Sequence, residues 1–394
     1  MENPKGCWRV CIGATIAMFC IVGICLNTFS VYVPYLKEQC DLTYTQSSLM
    51  LLLRNFLGMF SIVFVHKYYE KLDARLGVTL AFGMAIVGMF LYSIADSFWD
   101  LCVAGICIGF AYGLGGAYPA SILMHRWFKK HLGLAIGLSS ASTGIAMTIC
   151  APIVTALVEN YSLKTAIRVE IVFLTAAMAV TFLLIRNWPE GRKPAVQRKQ
   201  KSASGQKKQF RISWMIIAAL LIGFMGDPGF QNVSMLYSSR SFAPYQVAFL
   251  ASMTGFGLMV SKFLLGELTD LWGGYRANWL FFGLVIIGSA MNFIPASYGF
   301  SVAAVGLFSA GSAAMSTVGL AIFAKDLSAE EEFPNVYRQY QLCYLLGGFV
   351  GGAVPGALAD LTGNYGTYYG LMAIFGVVAL AIVQIHYKYN RKAR

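Results

Sequence analysis

The chain consists of long apolar stretches joined by short polar connections, and this pattern decides what it can fold into. Twelve stretches are about 20 residues long, the length of an α-helix that crosses a lipid bilayer. Strands of a membrane barrel would be half as long and would alternate in polarity, so we expect helices. The stretches lie near residues 10–33, 44–65, 77–95, 101–123, 133–157, 166–187, 212–237, 246–268, 277–296, 300–324, 336–359 and 366–387.

The composition agrees with a membrane protein. Only 12% of the residues are charged and 57% are hydrophobic, whereas about 25% of a soluble domain is charged. Such a chain cannot cover itself with a polar surface, so its partner is the lipid bilayer. The net charge of +12 does not indicate nucleic-acid binding, because the basic residues lie in the connections between apolar stretches.

The basic residues alternate between the two sides of the predicted membrane. One side receives both termini and most of the Lys and Arg residues, and the positive-inside rule assigns that side to the cytoplasm. We therefore expect a multi-pass protein of the cell (inner) membrane with both termini cytoplasmic. The basic residues in the short connections of that side are Lys67, Lys71, Arg75, Arg126, Lys129, Lys130, Arg276, Lys325 and Arg338.

One polar segment divides the chain into two halves. Between Arg186 and Ser213 there are nine Lys or Arg residues and a single acid, Glu190. Such a segment lacks the apolar residues needed to order itself. We predict an all-α membrane protein with twelve transmembrane helices in two six-helix bundles, formed by residues 1–187 and 212–394, with a basic cytoplasmic linker at 188–211.

A short motif follows the eighth stretch. Residues 266–276 read GELTDLWGGYR, with Gly266, Asp270, Gly273 and Arg276 at defined spacing. This motif resembles the cytoplasmic signature of the major facilitator superfamily, which implies a gating role for these four residues. The corresponding loop of the first half carries His66 where the signature has Asp, so the halves are not equal copies.

A second resemblance narrows the family. Residues 118–137 read YPASILMHRWFKKHLGLAIG, and Lys262 lies four residues before Gly266. Both features resemble the monocarboxylate and oxalate:formate antiporter-like branch, which implies a small organic anion as substrate. The chain also departs from this branch, because Leu258 stands where animal monocarboxylate carriers have Asp. Tyr344 and two glutamines occupy the part of the eleventh stretch where oxalate transporters have a second basic residue.

Three ionisable residues lie well inside predicted helices, namely Arg54, Asp227 and Lys262. A charge at this depth costs about 2.5–3.5 kcal/mol on insertion scales, and such residues usually mark a functional site. Arg168 and Glu170 lie nearer the outer end of the sixth stretch, where we expect their side chains to reach the membrane surface.

These residues suggest where the substrate binds. We expect Arg54, Lys262 or both to hold a carboxylate, with Tyr118 as a hydroxyl donor. The alternative is that the two cations pair with Asp227 for structural reasons. Because Pro228 follows Asp227, the seventh helix should kink or unwind there, and Asp227 is our candidate for proton coupling.

The sequence therefore predicts a secondary transporter of a small organic anion, working as a monomer by symport with protons or by anion exchange. An enzyme is disfavoured because the four histidines lie at helix ends or in loops. No phosphate-binding loop indicates ATP-driven pumping, and neither a cofactor nor a metal is expected. A major facilitator transporter of another small solute, a drug or a sugar, remains the alternative.

Overall fold

The computed structural model describes residues 4, 6–128, 131–187, 209–328 and 333–391. Within these ranges the regular structure is entirely helical. Many large apolar side chains point outward, among them Val172, which is 70% exposed, and Leu183, which is 62% exposed. Apolar surface of this extent is typical of a protein that faces lipid.

The first half contains a broken first helix followed by long regular ones. The first helix is π-helical over Met18–Asn27 and 3-10 over Thr28–Val31. The α-helices are α1 (Cys7–Ala17), α2 (Val33–Gln39), α3 (Tyr44–Lys71), α4 (Ala74–Ile94), α5 (Phe98–Gly115), α6 (Ala117–Trp127), α7 (Leu132–Asn160) and α8 (Leu163–Leu184).

The second half repeats this plan with its own interruptions. A further π-helical turn covers Met315–Gly319. The α-helices are α9 (Gln209–Met225), α10 (Asp227–Gln231), α11 (Val233–Ser239), α12 (Pro244–Trp272), α13 (Gly274–Phe293), α14 (Tyr298–Ala314), α15 (Leu320–Leu327), α16 (Phe333–Gly352), α17 (Val354–Thr362) and α18 (Gly366–Arg391).

Eight helical stretches of the described chain are long and apolar enough to cross a membrane. The remaining four predicted spans correspond to the helices α3, α12, α13 and α14. All twelve predicted segments are thus helical, and the count of twelve crossings stays a prediction. The division into two halves also stays a prediction, because most of the linker lies outside the described residues.

Two of the helix interruptions follow from proline. The seventh segment breaks at Gly226, and Pro228 then occupies the first turn of α10. The eleventh segment breaks at Ala353, followed by Pro355 in the first turn of α17. Proline fits a first helical turn because no intrahelical partner is lost there. The predicted kink beside Asp227 is confirmed.

The two halves pack closely together where α7 meets α12. A Cβ atom added to Gly144 would lie 2.6 Å from the carbonyl oxygen of Gly255, so only glycine allows the two backbones to come this near. The hydroxyl of Thr148 also lies 3.4 Å from the carbonyl oxygen of Ser252. These contacts join the two halves of the chain.

The structure corrects one sequence-based expectation in the first half. Arg168 is exposed, as a side chain that reaches the membrane surface should be. Glu170 is only 7% exposed and lies on the face of α8 that packs against the bundle. The expectation that Glu170 reaches the surface is therefore wrong, because helix rotation and not depth alone decides where the side chain points.

Candidate functional site

A cavity of about 110 Å³ lies between the two halves. The first half contributes the π-helical segment, α3 and α5, and the second half contributes α10 and α16. Its lining residues are Val22, Leu26, Asn27, Asn55, Phe56, Met59, Tyr112, Asp227, Gln231, Tyr344, Leu345, Gly348 and Phe349. A cavity between paired bundles is where transporters of this architecture bind their solutes.

The polar part of the lining is joined across the two halves by one amide. The side-chain oxygen of Gln231 accepts a hydrogen bond of 3.1 Å from Asn55. The same oxygen accepts a second hydrogen bond of 3.1 Å from an Nη atom of Arg54. Two donors of the first half therefore converge on one acceptor of the second half.

Arg54 lies directly behind this amide. Its side chain is fully buried, and its guanidinium also donates to the carbonyl oxygens of Cys25 and Leu26 at 3.3 and 3.4 Å. The guanidinium carbon lies 5.2 Å from the centre of the Phe29 ring. Every hydrogen-bond acceptor of Arg54 within the described chain is thus neutral, so none of them balances its charge.

The irregular geometry of the first helix explains these acceptors. The π-helical segment gives way to a 3-10 turn at Thr28, next to the carbonyls of Cys25 and Leu26. Where the helical repeat changes, the regular ladder of backbone hydrogen bonds is disturbed and carbonyl groups can accept from side chains. The Thr28 hydroxyl likewise donates to the carbonyl oxygen of Gly23, at 2.9 Å.

Asp227 is the acid of the cavity. It begins α10 immediately after the break at Gly226, and its carboxylate accepts a hydrogen bond of 3.3 Å from the Tyr344 hydroxyl. Negative charge is favoured at the start of a helix, although α10 is short. Asp227 also acts electrostatically on Arg54. The acid of the lining and the buried cation behind the lining therefore come from opposite halves.

Hydrogen bonds join the two halves at the end of the molecule that carries the start of α3. Here Asp360 of α17 accepts hydrogen bonds from the backbone N–H groups of Tyr44 and Thr45, at 3.1 and 2.8 Å, and from the Thr45 hydroxyl. Ser48 and Tyr365 lie 3.1 Å apart through their hydroxyl oxygens. We call this set of contacts the α3–α17 latch.

Of the predicted substrate and coupling residues, Asp227 lines the cavity, and Arg54 lies behind it, hydrogen-bonded to the lining residue Gln231. The side chains of Tyr118 and Lys262 lie outside the described residues, although their backbones belong to α6 and α12. Their roles therefore stay predictions.

The predicted gating motif lies away from the cavity, at the turn between α12 and α13. The side chain of Asp270 and the surroundings of Gly266 lie outside the described residues. Gly273 has a φ of +76° and an extended ψ, which favours glycine. Arg276 is exposed on the first turn of α13. The gating role of the motif stays a prediction.

Four polar residues of the lining were missed by reasoning from the sequence: Asn27, Asn55, Tyr112 and Gln231. A search limited to ionisable residues overlooks them. The sequence feature that could have revealed them is an amide or a hydroxyl within an apolar stretch. Such a group is usually hydrogen-bonded when it is buried, so it indicates a polar contact inside the protein. Tyr344, noted for its depth in the eleventh stretch, proves to be the hydrogen-bond donor to Asp227.

Comparison with known proteins gives consistent results. The family model described as Major Facilitator Superfamily matches residues 14–291. A protein named MFS-type transporter hasB from Aspergillus fumigatus is 22% identical, with 95% of this chain and 86% of that protein covered. Mouse monocarboxylate transporter 12 is also 22% identical, with 96% and 85% covered.

Solved structures show the same fold. The nucleoside transporter NupG gives a TM-score of 0.73 at 14% identity, with 98% of this chain and 100% of that chain covered. A bacterial homologue of the human lysosomal transporter Spinster, in an inward-facing and unoccupied conformation, gives 0.71 at 12% identity with 100% and 99% covered.

Proposed function

Because this chain belongs to the Major Facilitator Superfamily, we propose that it moves a small organic anion of the monocarboxylate type across the cell (inner) membrane. The two bundles rock around the cavity, which opens alternately to either side. Its membership of a transporter family and its relatives named as transporters support the general activity. The nature of the solute is argued from the cavity.

The main support for the anion proposal is that Arg54 is a buried cation without an anionic hydrogen-bond acceptor in the described chain. Its hydrogen-bond acceptors, two backbone carbonyls and Gln231, are all neutral. A buried cation without a hydrogen-bonded anion favours the entry of a carboxylate, since attraction between charges is strong where water is excluded. Gln231 separates the guanidinium from the cavity, so a carboxylate would bind beside this amide or displace it.

Asp227 supplies the proposed coupling to protons. While Asp227 is ionised, its charge acts on that of Arg54 without cancelling it. Binding of a carboxylate adds a second negative charge, which makes protonation of Asp227 more favourable. Proton and anion would then cross together, and exchange of one anion for another would leave the proton bound.

One observation favours a second candidate, a neutral polar solute. Three amide side chains, those of Asn27, Asn55 and Gln231, line the cavity, and amides can hydrogen-bond to hydroxyl groups or to heterocyclic bases. A sugar or a nucleoside would use them. Arg54 would then serve only to hold the first helix against α10.

Uptake by the purified protein in proteoliposomes tests the proposal. We expect labelled short-chain monocarboxylates to accumulate, more so with an inward proton gradient, and nucleosides, sugars and organic cations not to. Double replacement by Arg54→Gln and Lys262→Gln should abolish carboxylate uptake, while Arg168→Gln, which changes an exposed cation, should leave uptake unchanged. Full carboxylate uptake in a folded double variant would contradict the proposal.

A further inference from the structure

Glu170 is an acid buried in the first half, apart from the cavity. It lies about 10 Å along α8 from the first residue of that helix, since each residue adds about 1.5 Å. Its side chain is 7% exposed, and within the described chain neither carboxylate oxygen has a hydrogen-bond partner. The other buried residues of α8 are Ala166, Ile167, Leu174, Ala177 and Thr181, which form the face packed against the bundle.

The immediate surroundings of Glu170 are hydroxyl and thiol groups. The hydroxyl of Tyr32 lies beside the carboxyl and is itself buried without a well-aligned partner in the described chain. The thiols of Cys25 and Cys150 also lie within electrostatic range of Glu170. None of these neighbours is a cation.

The other helices that pack against α8 do not supply a cation either. The ionisable residues of α4 are Arg75 and Tyr92. Arg75 donates a hydrogen bond to the carbonyl oxygen of Ile185, just after the C-terminal end of α8. Tyr92 interacts electrostatically with Arg54. On α7, Glu159 is exposed and accepts a hydrogen bond of 2.9 Å from Tyr35.

The ionisable residues of α1 lie in the first turns of that helix, near the C-terminal end of α8 and away from Glu170. They are Cys7, Arg9 and Cys11, and Arg9 donates to the carbonyl oxygen of Leu183.

An ionised carboxylate in such a place would lack a counter-ion within the described chain, with only the Tyr32 hydroxyl beside it. Buried charges in proteins are paired or become neutral. The burial of Glu170 and the absence of a counter-ion within the described chain therefore favour the uncharged acid.

We propose that Glu170 is a second proton-binding site of this transporter, which exchanges its proton with water when the first helix moves. The proton passes between a carboxyl oxygen of Glu170 and water, and no other bond forms or breaks. This inference rests on the proposed transport function for its role in coupling. The protonation of Glu170 can be tested without any substrate.

We expect the movement that exposes Glu170 to water to occur in the first helix. Tyr32 directly follows the segment in which a π-helical stretch changes to a 3-10 turn. Such changes of helical repeat inside a helix often mark functional hinges. The same segment supplies the carbonyl groups that bind Arg54. A shift of the segment when the cavity is occupied would move Tyr32 away from Glu170 and admit water.

Infrared spectroscopy of the purified full-length protein in lipid, without substrate, is the first test. At neutral pH we expect a carbonyl band of a protonated carboxylic acid that is absent in Glu170→Gln. The band should remain in Glu159→Gln, which changes an exposed acid of the same half, and should shift in Glu170→Asp. A band unchanged by Glu170→Gln would overturn the proposal, as would one that persists at strongly alkaline pH.

Transport by Glu170→Gln is the second test. Glutamine imitates the protonated acid, so we expect exchange of labelled for unlabelled carboxylate to continue while accumulation driven by a proton gradient falls at least several-fold. Gradient-driven accumulation equal to the wild type would overturn the role in coupling. If the wild type moves no carboxylate at all, the proposed function fails, and the infrared result still decides whether Glu170 binds a proton.

Discussion

Arg54 owes its position to backbone carbonyls of the first helix and a side chain of α10. Its guanidinium joins the carbonyls of the first helix to Gln231 of α10, and it does so with donors arranged in a planar fork. The residue thus links the two halves as well as placing a positive charge beside the cavity.

Replacement of Arg54 by lysine separates these two contributions. Arg54→Lys keeps the charge, but an ammonium group on a flexible chain cannot reproduce the fork that binds three acceptors. Hydrogen bonds to charged groups are worth about 1.5–3 kcal/mol, so we expect carboxylate uptake to fall about tenfold or more. Initial rates in proteoliposomes measure this, and a wild-type rate would show that charge alone suffices.

Tyr344 tests the coupling role of Asp227. In Tyr344→Phe the carboxylate of Asp227 loses a hydrogen-bond donor that favours its charged form. Asp227 should then take up a proton more readily, and half-maximal proton-driven uptake should move to higher pH. Tyr337→Phe, which changes a tyrosine on the same helix, is the control. An unchanged pH profile in Tyr344→Phe would argue against Asp227 as the coupling group.

The sequence predicts part of this site for clear physical reasons. A charge deep in an apolar stretch is conspicuous, so Arg54 and Asp227 could be identified, and Pro228 made the break beside Asp227 predictable. The neutral partners of Arg54 could not be predicted, because they depend on how the first helix and α10 pack. Asn55 and Gln231 were missed because an amide within a helix does not reveal which neighbour it faces.

At the scale of helices, the glycines of α7 and α12 set the distance between the halves. A Cβ atom at Gly144 would lie within 3 Å of backbone atoms of α12, and overpacking typically costs about 1–3 kcal/mol. We expect Gly144→Ala to lower the thermal unfolding temperature and to reduce uptake. Gly283→Ala, where a Cβ would meet no described atom within 4 Å, should change neither.

The regular helices were predictable and their irregularities were not. Apolar stretches of sufficient length indicated α3, α4, α7 and α8, and one stretch covered both α5 and α6 without indicating the break between them at Gly116. The π-helical segment of the first helix has no proline and no other sequence signal. It lies where Gly23 is so close to α7 that an added Cβ would clash with the Cβ of Ala146, at 2.3 Å. Packing between helices therefore sets its geometry.

At the scale of the whole molecule, the α3–α17 latch has to open for the cavity to reach the other side. The carboxylate of Asp360 binds the first N–H groups of α3, where the helix end favours negative charge. Asp360→Asn removes that charge and should populate the conformation open at this end.

Labelling of a cysteine at the latch measures this change. In a background without native cysteines, Ser48→Cys is fully buried at the contact with Tyr365 and should react slowly with a water-soluble maleimide. Adding Asp360→Asn should raise the labelling rate several-fold, whereas adding Asp41→Asn should not. Equal rates with and without Asp360→Asn would show that the latch does not hold this end closed.

The central claim is that a positive charge beside the cavity selects an anion, and Gln231→Glu tests it most directly. Glutamate has nearly the shape of glutamine but places a negative charge 3.1 Å from the guanidinium of Arg54. The resulting ion pair would cancel the charge that attracts the substrate.

Uptake of a labelled monocarboxylate should therefore fall at least tenfold in Gln231→Glu while the protein stays folded. Gln246→Glu, at the third position of α12, is the matched control and should retain uptake. Carboxylate uptake at the wild-type rate in folded Gln231→Glu would contradict the account.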